Sequence, residues 1–278
     1  MSVQWNVDGM AVEESMRALL GGGSVGSVAT YHVATGGART RATLALDAAA
    51  VLGLDSAVAR ACACAAELLH NASLVHDDLQ ERDPLRRGGP AVWHAHGEAA
   101  AISAGDLMIS AAYASLGRHP DPARAIMLLH EAVAETARGQ TMDLAARVPS
   151  VAAYRDLVAA KTGPLLALPV QLALCAAGLP DTGDAARVGR GLAIAYQILD
   201  DLHDLDADQA ANRVNICTIL TSGDMTPAEA RDAARRSAQD ALTGARRLAC
   251  DLPHGAGSAF HTLADRLDGT LTEYSNAA

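Results

Sequence analysis

Two short acidic clusters hold the residues best suited to chemistry. One is His76-Asp77-Asp78-Leu79-Gln80-Glu81-Arg82-Asp83. The other is Asp200-Asp201-Leu202-His203-Asp204, continuing to Asp206 and Asp208. On a helix, Asp77 and Glu81 fall one turn apart on one face, as do Asp200 and Asp204. Each cluster ends an apolar run, Ala72-Ser73-Leu74-Val75 in one case and Ala193-Ile194-Ala195-Tyr196-Gln197-Ile198-Leu199 in the other. Carboxylates placed there are expected at a cavity; a solvated acidic helix end is the competing reading for either cluster alone. Two carboxylates about 4 Å apart repel by roughly 4 kcal/mol at an effective dielectric near 20, so an interior pair calls for a cation. Oxygen-only ligands suit Mg²⁺, which keeps some of its water and bridges to phosphate oxygens. The two clusters together predict a magnesium–diphosphate site, with Asp77, Asp78, Glu81, Asp83, Asp200, Asp201 and Asp204 as the metal-binding candidates.

The basic residues fit the same chemistry. Arg86-Arg87 follow the first cluster in a Gly/Pro-rich stretch, where guanidinium forks can bind phosphate. Lys161 is the only lysine in the chain and sits in an apolar helical segment, where it can supply a point charge. Surface ion pairing is the alternative for each. Other motifs carry less. Gly21-Gly22-Gly23-Ser24-Val25-Gly26 fits GxGxxG but follows no strand, and reads as a flexible loop. Cys62 and Cys64 lack a second ligand pair at zinc spacing and read as buried small apolar groups. His94 and His96 lack a clear third ligand, so a loop or helix-start role is expected.

The elements that must position these groups are helical. Half of the 278 residues are hydrophobic but only 3% are aromatic, with one Phe, so Ala, Leu and Val must fill the core. Small side chains suit close helix–helix packing. Helices are expected over residues 42–54, from Ser56 as a cap through Leu74, and over 98–116 and 123–146. Others are expected over 151–175 (interrupted by Pro164 and Pro169), 184–204, from a Thr226-Pro227 start to about Leu252, and after Gly257. Pro84, Gly88, Gly89 and Pro90 mark a loop. The reading is all-α, a single domain over residues 1–278 with roughly ten helices and no short-period repeat. A net charge of −10 argues against a general nucleic-acid binder. No run of 18 or more apolar residues predicts a membrane span. Five scattered cysteines and an N-terminus without signal-peptide features point to a reduced, cytoplasmic setting.

Over residues 31–220 the ordered motifs resemble the trans-isoprenyl diphosphate synthases, the polyprenyl synthetase family. Gly36-Gly37-Ala38-Arg39-Thr40-Arg41 is similar to the family's GGKRxRP segment. Leu74-Val75-His76-Asp77-Asp78, with Asp83 and Leu85-Arg86-Arg87-Gly88, resembles its first aspartate-rich motif. Gly105-Asp106, Gly139-Gln140 with Asp143, Lys161-Thr162-Gly163, and Tyr196-Gln197-Ile198-Leu199-Asp200-Asp201 with Asp204 match further landmarks. The resemblance implies an isoprenoid synthase-type helical bundle around a central apolar cavity, usually a homodimer. It implies that both acidic clusters hold a trinuclear Mg²⁺ group on an allylic prenyl diphosphate, stabilising charge on the leaving group. The resulting allylic cation is attacked by an acceptor's π-bond, and in an elongating enzyme the departed diphosphate removes the proton. By position, Arg86, Lys161 and Gln197 would contact the allylic diphosphate, and Arg41, His70 and Arg87 that of isopentenyl diphosphate. Gln140 and Thr162 join the substrate-binding set. Ser73 and Ala72, four and five residues before Asp77, would floor the pocket; being small, they imply a product of about C20 or longer.

Three departures bear on the acceptor. The lysine of GGKR is Ala38, the proline that follows is Ala42, and the lysine shortly after the second motif is absent. There, Asn212-Arg213-Val214-Asn215 occupies a shortened segment. Losing one charge-assisted contact costs about 1.5–3 kcal/mol, or one to two decades in affinity. Isopentenyl diphosphate binding is therefore expected to be weakened, with Arg39 a candidate to compensate. The reading favoured is coupling to isopentenyl diphosphate. Transfer to another acceptor (an aromatic ring such as indole, or a glycolipid) and terpene cyclisation stay open. A weakly catalytic partner subunit is disfavoured, because such a subunit need not keep two acidic clusters.

Overall fold

The computed structural model describes residues 2–145, 148, 150–180, 183–211, 213–223 and 225–277. In chain order the helices are α1 (Ser2–Leu20), α2 (Gly23–Ala34), α3 (Thr40–Val51), α4 (Ser56–Glu81), α5 (Val92–His96), α6 (Glu98–Ser115) and α7 (Pro122–Leu144). They continue as α8 (Val151–Lys161), α9 (Gly163–Ala176), α10 (Asp184–His203), α11 (Leu205–Ala211), α12 (Ile216–Thr221), α13 (Pro227–Cys250) and α14 (Ser258–Ala277). The only sheet among the described residues is a two-stranded antiparallel ribbon, β1 (Leu85–Arg86) with β2 (Gly89–Pro90). The all-α reading therefore holds, with more helices than expected because short ones occupy several connections. Ala146, the expected end of one helix, and Asn212 lie outside the described residues.

Contacts divide the chain into two compact units. The first comprises Met1–Glu131 and Leu168–Pro180, the second Ala132–Ala167 and Asp181–Ala278.

In the first unit α4 is central, contacting α1, α3 and α6. Its cap is Asp55, which accepts Ala57 N–H at 2.7 Å; Ser56 is the first helical residue, not the cap. Ala61, Ala63, Ala65, Ala66 and Ala72 are all buried, so neighbours approach its backbone closely. Cys62 and Cys64 are buried in the same run, as expected. Leu68, Met16, Met108 and Leu116 fill the larger gaps. α4 stops at Arg82, whose left-handed φ of 60° turns the chain away and leaves its N–H on Asp78 O. The expected Gly/Pro loop is the β1–β2 ribbon. Arg87 (φ 52°) and Gly88 (φ 80°) form its turn, two left-handed residues as a tight hairpin demands. The expected glycine loop is also shorter than read: Gly23 already opens α2. Residues Glu98–Arg118 are apolar and long enough to cross a membrane by composition, but 44% of that stretch is buried inside the protein, as a core helix would be.

In the second unit α10 packs against α13, α8 and α14. α13 opens with the expected Thr226 cap and Pro227, and Glu229 completes a capping box. Its buried stripe of Ala230, Ala234, Ala238, Ala241, Leu242, Ala245 and Ala249 recurs every three or four residues. The helix break foreseen near Pro164 falls at Thr162, between α8 and α9. The chain's single phenylalanine, Phe260, is fully buried on α14.

Candidate active site

The first acidic cluster lies at the C-terminal end of α4. Asp78 has no exposed surface, whereas Asp77, Glu81 and Asp83 are half-exposed. The hairpin turns Arg86 back onto Asp78: its Nε donates to Oδ1 at 2.9 Å and its Nη2 to the same oxygen. The buried Oδ2 of Asp78 has no hydrogen-bond partner. Burial raises the Asp78 pKa, with Arg86 opposing.

The next hairpin residue, Arg87, reaches the end of α2. Its Nη1 donates to Gly36 O and to Thr35 Oγ1 at 3.2 Å. Gly37 stands at φ 117°, which strains any side chain, and lets the Arg87 guanidinium lie against the backbone, where a Cβ would be 2.7 Å from its Cζ. Arg41 and His70 belong to the same basic neighbourhood. Burial and then Arg41 and Arg87 hold His70 well below the usual imidazole range, so it is neutral. His32 is held at about 3 by burial and then by Arg87, Arg86 and Arg39. Two neutral histidines with Arg41, Arg86 and Arg87 form a wall rich in N–H donors, suited to a polyanion.

Arg39 is not available to that wall. It is 7% exposed and in a left-handed conformation (φ 48°). It donates to Val33 O at 2.7 Å, to Glu13 at 3.2 Å and to buried Glu67 at 3.5 Å. Glu67 also accepts Ala42 N–H at 3.1 Å. The expectation that Arg39 compensates for Ala38 is therefore corrected. Its guanidinium ties α2, α1 and α4 together, and Ala38 is exposed.

The second acidic cluster lies at the end of α10. Asp201 is 1% exposed and saturated with donors: Gln197 Nε2 at 3.0 Å on Oδ1, and Tyr154 O–H at 2.9 Å and Ile216 N–H at 2.8 Å on Oδ2. Asn215 donates to Asp201 O at 2.8 Å and to Asp208 Oδ2 at 2.9 Å, while its own Oδ1 caps α12 through Cys217 N–H. Asp200 and Asp204 are exposed, and Asp204 caps α10 through its N–H on Asp200 O. The protein surrounding Asp200 raises its pKa to about 7, by burial first and then by Asp204 and Asp201. Burial raises that of Asp201 to about 6 despite its three donors. Lys161, the last residue of α8, donates to Asp143 at 2.5 Å. A Cβ on Gly139 would sit 2.2 Å from Lys161 N, so glycine there lets α7 and α8 touch and brings Asp143 to Lys161. Gln140, next to it, is buried, and Thr162 caps α8.

The sequence candidates thus separate by environment. Asp77, Glu81 and Asp83 are part-exposed and Asp200 and Asp204 exposed, whereas Asp78 and Asp201 are buried. Gln197 is engaged with Asp201. Tyr154 and Asn215, which organise the second cluster, were not singled out as site residues. Tyr154 lies two helical turns before Lys161 on the same face, and that spacing was its only signal.

The donor chemistry fits Mg²⁺. Burial raises the pKa of Asp78, Asp200 and Asp201, neighbouring carboxylates add to the rise at Asp200, and one buried oxygen of Asp78 has no hydrogen-bond partner. Among the described residues no three acidic, His or Cys groups are gathered closely enough to hold an ion by themselves. An ion there would complete its shell with water and diphosphate oxygens.

The fold and both clusters define an isoprenoid synthase-like protein. It resembles the solved geranylgeranyl pyrophosphate synthetase of Geoglobus acetivorans, with a TM-score of 0.82 and 25% identity over 94% of this chain and 97% of that one. A decaprenyl diphosphate synthase from Rhodobacter capsulatus shares the fold at a TM-score of 0.83 and 21% identity, over 97% of both chains. The polyprenyl synthetase profile matches residues 24–242, and the chain belongs to that family. A short chain isoprenyl diphosphate synthase of Methanothermobacter thermautotrophicus is 31% identical over 221 residues, 76% of this chain and 68% of that protein. A geranylgeranyl diphosphate synthase of Methanosarcina mazei is 33% identical over 188 residues, 64% of this chain and 58% of that protein. The matched region covers as little as 47% of a curated relative's length.

Proposed function

We propose that this chain is a Mg²⁺-dependent prenyltransferase that ionises an allylic prenyl diphosphate and couples it to isopentenyl diphosphate, giving a trans-prenyl diphosphate of about C20 or longer. The observation that carries the reading is that part-exposed carboxylates at the end of α4 lie in the same unit as a basic group of Arg41, Arg86, Arg87 and neutral His70. Mg²⁺, when bound, supplies positive charge to the leaving diphosphate. Asp77, Glu81, Asp83, Asp200 and Asp204 are its proposed ligands. Asp78 orients Arg86 toward the allylic diphosphate, and Asp201 fixes Gln197. Arg41, His70 and Arg87 bind the acceptor's diphosphate, and Lys161, held by Asp143, adds charge to the allylic one. Ala72 and Ser73, one turn before Asp77, leave room for a long chain.

One observation favours a second reading. With Ala38 in place of lysine and Arg39 committed to Glu13 and Glu67, the acceptor wall lacks one cation. That suits a less charged acceptor, such as an aromatic ring or a glycolipid, or an internal double bond in a cyclisation. The test is mass-spectrometric product analysis with Mg²⁺ and farnesyl or geranylgeranyl diphosphate, with and without isopentenyl diphosphate. Extension by one isoprene unit only when isopentenyl diphosphate is present supports the first reading. Hydrocarbon or alcohol without it supports cyclisation, and intact substrate in both tubes overturns elongation.

A further inference from the structure

A cavity of about 380 Å³ opens in the first unit at the opposite end of α4 from the acidic cluster. Its walls come from the last turns of α1 (Ser15, Ala18, Leu19), the first turns of α4 (Ala57, Arg60, Ala61, Cys64) and the end of α6 with the turn after it (Ala114, Ser115, Arg118). Arg60 and Asp77 are separated by roughly 26 Å along the helix, so this is a different site.

The cavity's charge is unusual for this chain. The protein carries 32 acidic residues against 22 basic ones, yet two arginines share this cavity. Among the described residues neither makes an ion pair. The nearest carboxylate in sequence, Asp55, is turned onto Ala57 N–H at 2.7 Å. The Cys64 thiol offers no negative charge either, since burial pushes its pKa up to about 12. The hydroxyls of Ser15 and Ser115 give their protons to Ala11 O and Ala112 O, each at 2.7 Å, so the guanidinium groups are the donors on offer. The N-terminal end of α4, a 26-residue helix, adds its positive dipole. The remaining wall is apolar: Ala18, Leu19, Ala57, Ala61 and Ala114.

We propose that this cavity binds a phosphate or diphosphate ester carrying an apolar chain, with the anionic head on Arg60 and Arg118 and the chain against the alanine and leucine wall. Guanidinium forks match phosphate oxygens, and the volume lies within the range of small-molecule sites, about 300–1,000 Å³. The proposal does not depend on the reaction assigned to the acidic clusters.

The test is titration calorimetry of the full chain with octyl phosphate as the probe. Octyl phosphate is expected to bind saturably and at lower concentration than either inorganic phosphate or octanol. The Arg60→Gln/Arg118→Gln chain is expected to bind it at least about tenfold more weakly, while prenyl diphosphate turnover stays unchanged and circular dichroism shows the fold retained. Binding within about twofold of the parent in the arginine variant, or no saturable binding of octyl phosphate to the parent, overturns the site.

Discussion

Replacing Tyr154 with Phe tests the reading of the second acidic cluster. The ring is fully buried on α8 and its hydroxyl donates to Asp201 Oδ2 at 2.9 Å. Phe keeps the ring volume and removes only the donor. Asp201 would retain Ile216 N–H at 2.8 Å and Gln197 at 3.0 Å. A hydrogen bond to a buried, ionised carboxylate is worth about 1.5–3 kcal/mol, and one to a neutral carboxyl about 0.5–1.5 kcal/mol. Burial already raises Asp201 from 3.8 to about 6. A raised carboxyl pKa means that the folded state holds the proton more tightly than the unfolded one. The Asp201 contribution to stability is therefore greatest below about pH 4 and falls as pH climbs through about 6. Losing the tyrosine donor raises the pKa further. Tyr154→Phe should thus cost about 1.5–3 kcal/mol at pH 8, where Asp201 is ionised, and about half as much at pH 5. Urea unfolding of both metal-free proteins at the two pH values measures this. An equal cost at both pH values, or less than about 0.5 kcal/mol at pH 8, would refute the claim that Tyr154 serves an ionised Asp201.

Ala38→Lys should restore one charge-assisted contact and lower the KM for isopentenyl diphosphate roughly 10- to 100-fold, with the allylic KM unchanged; an unaltered acceptor KM would show that residue 38 does not face the acceptor. Asp77→Ala and Asp200→Ala should each reduce turnover by several decades and raise the Mg²⁺ concentration needed for activity, and near-normal rates would remove them from the metal set. Ala72→Phe should shorten the main product seen by mass spectrometry, while an unchanged product would mean that α4 does not floor the chain pocket.

The helices were readable where side-chain period, caps and breakers agreed. Thr226-Pro227 with Glu229 is such a case, because three local signals converge on one helix start. Ser56 was misread as a cap because Asp55 beside it competes for the same role, and only backbone geometry decides which residue is extended. The β1–β2 ribbon was read as a loop because its turn uses Arg87 in a left-handed conformation, where sequence reasoning looks for Asn, Asp or Gly. The acidic clusters could be found from their spacing, but their division into open and buried members could not. Asp77 and Asp78 are identical in type and adjacent in sequence. Which of them turns inward depends on the rotation of α4 about its axis, and that is set by contacts with α3 and α6 far along the chain.

Arg39 and Arg87 show why residue type alone misassigns the cations. Both stand at left-handed φ, and both place guanidinium groups on carbonyls at or just beyond the end of α2, Val33 O and Gly36 O. They differ in how closely they engage one acidic residue. Glu67, buried on α4 and also holding Ala42 N–H, draws Arg39 into the interior. Arg87 makes no ion pair among the described residues, although Glu67 acts on it electrostatically; its hydrogen-bond partners are a carbonyl and the Thr35 hydroxyl, so its charge is only partly offset. A helix C-terminus carries partial negative charge and can steady a cation without neutralising it. That arrangement holds Arg87 in position before an acceptor diphosphate arrives and leaves its charge only partly balanced. The same logic predicts that a carboxylate introduced beside Arg87, by Ala38→Glu, would damage acceptor binding far more than Ala38→Gln. The comparison is read as the ratio of the two acceptor KM values, and a ratio near one would mean that Arg87 is not the group that waits for the anion.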